Sequence, residues 1–152
     1  MIEFIRIAGA TGISDTTDGY VVYFGDISRM ITDDELLEAY KLQKIIGLKN
    51  DCTNAIQAGF TSTALGEAHT YDSELPQDQT NLLGAKLAGI NMDFTCTDNT
   101  GYKLQKFHTA AQIAQIYSDG MSHIQATKAL FYARKWAVEQ GATINDVEAV
   151  TW

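Results

Sequence analysis

The sequence predicts an α+β protein: an N-terminal β-hairpin followed by an α-rich body with two long helices, a short helix and a second β-hairpin. Three observations carry that prediction. β-Branched and aromatic residues cluster at 20–24 behind a stretch rich in glycine and aspartate. Two segments, 32–58 and 109–140, repeat apolar residues at helical spacing, and each opens on a cap and closes on a glycine. Between them, 92–107 alternates apolar and polar residues around a turn at 98–101. A chain of 152 residues supports one domain with a small appendage. The predicted division is a β appendage over 1–31 and an α-rich domain over 32–152.

Taken in order, Ile2, Phe4, Ile5 and Ile7 form a first apolar strand, 9–19 reads as loop, and 20–24 returns as the second strand. An isolated hairpin is marginal in water, so this one must pack on another element or another chain. Thr32 and Glu35 form a capping box, and Asp33 and Asp34 complement the positive helix N-terminus. Leu36, Leu37, Tyr40, Ile45, Leu48, Cys52, Ala55 and Ile56 supply the apolar stripe, with Gly47 as its weak point. Gly59 is placed for a left-handed C-cap, with Phe60 folding back on the last turn. The segment 60–72 reads as a loop or short hairpin. Pro76 opens a short helix that ends near Gly89. Phe94, Cys96, Tyr102 and Leu104 then mark the second hairpin.

Thr109 and Gln112 cap the second long helix, with Phe107 as its staple. Ile113, Tyr117, Gly120, Ile124, Thr127 and Phe131 step by four and three, a coiled-coil-like seam flanked by Ile116, Leu130 and Trp136. The seam pairs either with the first helix or with another copy of the chain. Thr143 and Asp146 cap a final turn carrying Ile144, Val147 and Val150. Trp152 is predicted to be buried against the long helix as an anchor for its segment.

Charge excludes several functions. Eleven Lys and Arg face nineteen Asp and Glu, a net charge of −8, which argues against unaided binding to nucleic acid or an anionic membrane. Within 61–100 six acids stand against Lys86 alone, whereas 101–152 is nearly neutral. That asymmetry points to protein partners. No apolar run is long enough to span a bilayer, and no basic, apolar leader follows Met1. Cys52 and Cys96 lie far apart without a CxxC pairing and are expected as free thiols.

No chemistry-bearing motif stands out. His69, His108 and His123 are scattered without metal-ligand spacing, so neither metal nor cofactor is predicted. His108 is read as assisting a helix start and His123 as a helix-surface residue. Gly9-Ala10-Thr11-Gly12 looks like a phosphate-binding turn, but 14–19 continues as loop instead of opening a helix. Asp15, Asp18 and Asp26 read as solvated turn acids. Paired carboxylates for glycan hydrolysis depend on the fold, and choosing two among nineteen acids is arbitrary. No catalytic residue is therefore predicted. Tyr20, Tyr23, Phe24, Tyr40, Ile113, Tyr117, Ile124, Phe131, Trp136 and Trp152 are the candidate packing or partner-facing positions.

From about residue 42 onward the motif order is informative. Ala58-Gly59-Phe60 closes a helix, and Tyr71-Asp72-Ser73 and Asn81-Leu82 follow. Thr97-Asp98-Asn99 then turns a hairpin, and Val147 to Trp152 reads Val-x-x-Val-x-Trp. This order resembles a domain of unknown function recurrent in tailed-bacteriophage tail-fibre proteins and in small proteins encoded beside them. The upstream Asp18-Gly19-Tyr20-Val21-Val22-Tyr23 and Thr32-Asp33-Asp34-Glu35 are similar to the lead-in of such proteins. One departure is Met92-Asp93-Phe94, where a tryptophan is common. The resemblance implies a non-enzymatic tail protein, a small fibre or a fibre-attachment adaptor. It would be made in the host cytoplasm and built into the virion tail. Its partners would be tail or tail-fibre proteins, with homo-oligomers common. A tail-fibre assembly chaperone confined to the host cytoplasm is the alternative, and a small glycan-processing enzyme the remote one. The resemblance supplies no catalytic residues.

Overall fold

A computed structural model describes residues 12–16, 19–24, 27–74 and 76–152. It is the expected mixture of helix and strand, in the order β1 (Gly12–Thr16), β2 (Gly19–Phe24), β3 (Ile27–Ile31), α1 (Asp33–Gln57), β4 (Phe60–Ser62), β5 (His69–Tyr71), α2 (Pro76–Ala88), β6 (Met92–Thr97), β7 (Lys103–His108), α3 (Ala110–Gln140) and α4 (Ile144–Ala149). The strands make two antiparallel sheets, β1-β2-β3 and β4-β5-β6-β7. The apolar strand expected around Ile2–Ile7 lies outside the described residues.

The chain divides into two compact units, 1–50 with 131–152, and 51–130. In the first, β2 pairs Val22 with Ile13 on one side and Arg29 on the other. The loop expected over 9–19 is corrected here: Gly12–Thr16 is a strand, because cross-strand pairing with β2 overrides the turn propensity of its glycine and aspartate. Val22, Ile31 and Leu36 form one core cluster, and Leu48, Val138 and Val147 another. Tyr40 packs against both.

Local sequence explains the helix starts. Glu35 N–H donates to Thr32 Oγ1 at 3.2 Å, and Thr32 N–H donates to Glu35 Oε2 at 3.0 Å. The Thr32 amide, followed by the Arg29 guanidinium 2.8 Å from Glu35 Oε1, holds the Glu35 carboxyl below the usual carboxylate range. Thr143 and Asp146 repeat the device at α4. At α3, Thr109 N–H donates to Gln112 Oε1 at 2.8 Å while Gln112 N–H donates to Thr109 Oγ1. Gly59 ends α1 at φ +89, and a Cβ there would sit 2.7 Å from the Tyr71 carbonyl oxygen, so only glycine fits.

In the second unit, residues of one face of the four-stranded sheet turn inward. Phe60, Ser62, His69, Tyr71, Cys96 and His108 are all buried there. Leu82 from α2 and Ile116 from α3 close over Phe60, Tyr71 and Cys96 to complete the core. The Phe60 ring, expected to fold back on the last turn of α1, lies against Gly120 of α3, where a Cβ would come within 2.8 Å. Its neighbours in ring stacking are Tyr71 at 5.8 Å and His123 at 6.5 Å. The residues 60–72 thus form the short hairpin β4-β5.

Candidate functional site

The second unit carries the polar groups with the most unusual environments. His108 is fully buried, and its Nδ1 lies 2.7 Å from the Lys106 carbonyl oxygen. A carbonyl only accepts, so Nδ1 carries the proton and Nε2 is the acceptor. The Tyr71 hydroxyl, 2.9 Å away, donates to it. Burial pushes the Tyr71 phenol up, and burial also lowers His108, opposed by its bond to the Lys106 carbonyl. Both groups are therefore neutral and committed to each other. Burial likewise pushes the Cys96 thiol up.

His69 follows the same logic. Its Nδ1–H donates to the Glu67 carbonyl oxygen at 3.1 Å, and its Nε2 accepts from Lys106 Nζ at 2.9 Å. Lys106 also reaches Glu67 Oε1 at 3.3 Å. Ser62 donates to Asp119, and Ser73 to the Ile56 carbonyl oxygen. These partners explain how a sheet face with two imidazoles stays buried, since each donor and acceptor named is satisfied. His108 is thus corrected from a helix-start residue to a core acceptor. His123 is half-buried, not superficial, and its Nε2 lies 3.2 Å from the Ala55 carbonyl oxygen. Among the described residues no three His, Cys, Asp or Glu side chains form a group that could hold a metal ion.

Beside this network lies a cleft of about 380 Å³ in the same unit, within the range of ligand and anchor-residue sites, ~300–1,000 Å³. Phe60 and Gly120 line it, with Leu82 and Leu83 from α2 and Tyr117 and Met121 from α3. Asp72 and Ser73 line it as well. Lys86 Nζ sits 4.9 Å from the centre of the Tyr117 ring.

The predicted positions distribute as follows. Ile113 is fully buried, and Tyr117, Ile124 and Phe131 are half-buried. Part of the α3 seam is covered by this chain, since Ile113 is fully enclosed, Gly120 meets Phe60, Thr127 accepts from the Cys52 thiol through its carbonyl, and Phe131 joins the Leu48 cluster, while Tyr117 and Ile124 line the cleft. Tyr20 and Tyr40 pack on the Val22 cluster, whereas Tyr23, on the alternate face of β2, is exposed. The Phe24 side chain lies outside the described residues. Trp136 is 64% exposed. Trp152 is corrected from a buried anchor to a residue 37% exposed, because Val150 adopts an extended conformation and takes the chain out of the α4 turn. Asp72, Leu83 and Met121 were not singled out as site residues. Asp72 belongs to the acid excess of 61–100 and to the Tyr71-Asp72-Ser73 motif, whereas Leu83 and Met121 carried no sequence signal of this kind.

A helical cleft beside a sheet-backed core defines a small α+β module. Residues 39–151 match the model of the family described as Domain of unknown function (DUF4376), and the chain belongs to that family. Comparison with curated proteins and with solved structures finds no match.

Proposed function

We propose that this chain is a non-enzymatic bacteriophage tail protein, a small fibre or a fibre-attachment adaptor acting through protein–protein contacts. The observation that carries the contact reading is the disposition of side chains in the second unit. Its buried Tyr71 and His108 are tied to each other and its buried His69 to Lys106, while Leu87, Ile90, Tyr102 and Phe107 are each at least 59% exposed. Exposed side chains of that size leave apolar surface available for contact with a partner. The tail context rests on the order of the Ala-Gly-Phe, Tyr-Asp-Ser, Asn-Leu and Thr-Asp-Asn motifs and the Val-x-x-Val-x-Trp ending. Deleting the gene from a phage that carries it tests the reading. An adaptor leaves soluble fibres and particles without attached fibres by negative-stain microscopy. Normal, fully fibred and infectious particles would overturn it.

A second reading, an assembly chaperone for tail fibres, is favoured by the acidic middle of the chain, which suits reversible shielding of a partner. In that case the deletion leaves the fibre protein insoluble, and co-expression of the chain restores soluble fibre.

A further inference from the structure

The helix α2 lines two recesses of the second unit, and Asp72 borders both. One is the apolar cleft of about 380 Å³ described above. The other, about 160 Å³, is lined by Asp72, Asp78, Asn81, Asp93, Phe94 and Thr95. Their charges are unbalanced. Lys103 is ion-paired with Asp72, and that bond, with Asp78 and Glu74 nearby, holds its ammonium above the usual lysine range. Lys86 lies over the ring of Tyr117, a residue of the cleft lining. Against these two ammonium groups stand four carboxylates, Asp72, Glu74, Asp78 and Asp93.

We propose that this bipartite recess docks a segment of a partner protein carrying a bulky apolar side chain beside a lysine or arginine. The apolar side chain enters the cleft between Phe60, Leu82 and Tyr117, and the cation reaches the carboxylates of the adjoining recess. Leu83 and Met121, each 38% exposed, carry the apolar lining out to the surface, where a polypeptide has access. The methionine adds an adaptable wall. The negative excess selects the partner: a basic flank is drawn in, and an acidic flank meets a surface where carboxylates outnumber ammonium groups. The cleft supplies the anchor and the acids supply discrimination. This inference rests on the protein-contact reading and names the chemistry of the contact.

The test is a nuclear magnetic resonance titration of the full ¹⁵N-labelled chain with the peptide acetyl-GLLKRG-amide, against acetyl-GLLEEG-amide as the charge-reversed control. The expected result is shifts of the Asp72, Leu83, Tyr117 and Met121 amides with the basic peptide, and binding at least about tenfold weaker with the acidic one. Leu83→Glu, at a position exposed enough to keep the fold, abolishes the shifts, and Asp72→Asn weakens them. Equal binding of both peptides, no binding, or shifts indifferent to Leu83→Glu would overturn the proposal. So would concentration-dependent shifts of the same amides without peptide, which would mean that a second copy fills the cleft. A negative titration removes this docking site only; the deletion phenotype tests the tail-protein reading independently.

Discussion

Replacing Tyr71 with phenylalanine removes one oxygen from the centre of the second unit and keeps the ring. The stacking on Phe60 at 5.8 Å and the edge contact with His108 at 5.9 Å survive, so packing is nearly constant. What is lost is the donor to His108 Nε2, a buried acceptor whose other ring nitrogen is already committed to the Lys106 carbonyl. An unsatisfied buried acceptor costs about 1–3 kcal/mol. For a chain of this size that lowers Tm by roughly 3–10 °C, read by thermal circular dichroism at pH 8. The pH dependence adds a second readout. His108 is held below its ordinary value in the folded state, while in the unfolded chain it takes a proton near pH 6.5. Its contribution to stability is therefore complete above about pH 6.5 and falls as pH drops below that. In Tyr71→Phe this loss is smaller, because protonation no longer displaces a donor. An unchanged Tm at pH 8 would refute the assigned tautomer and the burial of the pair.

Two glycines of the α1 segment respond oppositely to alanine. Gly47→Ala, in open space on a continuous helix, stabilises by about 0.5–1 kcal/mol, whereas Gly59→Ala costs about 1–3 kcal/mol at its left-handed φ against the Tyr71 carbonyl; urea denaturation measures both. Cys52 and Cys96 are buried free thiols, so both resist a thiol reagent at pH 8 in the native chain and react once it is unfolded. Trp136→Ala leaves the urea midpoint within about 0.5 kcal/mol of the parent while removing most of the exposed indole emission. A large destabilisation would instead make it a packing residue.

The helix ends were legible in the sequence because capping is local. Thr32 with Glu35, Thr109 with Gln112, and Thr143 with Asp146 each lie three residues apart and bond as their spacing requires. The apolar stripes were legible for the same reason: Leu36, Leu48 and Cys52 are buried in α1, and Ile113 and Ile116 in α3. The strands β1 and β3 were not, since their residues become strand only by pairing with β2. The seam period predicted that α3 is covered, but not by what; Phe60 and the Cys52 thiol, remote in sequence, are among the groups that cover it. The cleft was illegible for a related reason, because its walls come from β4, the segment after β5, α2 and α3. Likewise, His108 gave no sign of its role, which depends on Tyr71, 37 residues away.

The most direct test of the tail-protein reading is quantitative mass spectrometry of gradient-purified particles from a phage that encodes this chain. The reading predicts the chain at a fixed ratio to the tail-fibre protein across gradient fractions. Its absence from particles whose fibres are present at full abundance would contradict a structural role and leave the assembly-chaperone reading to be tested by co-expression.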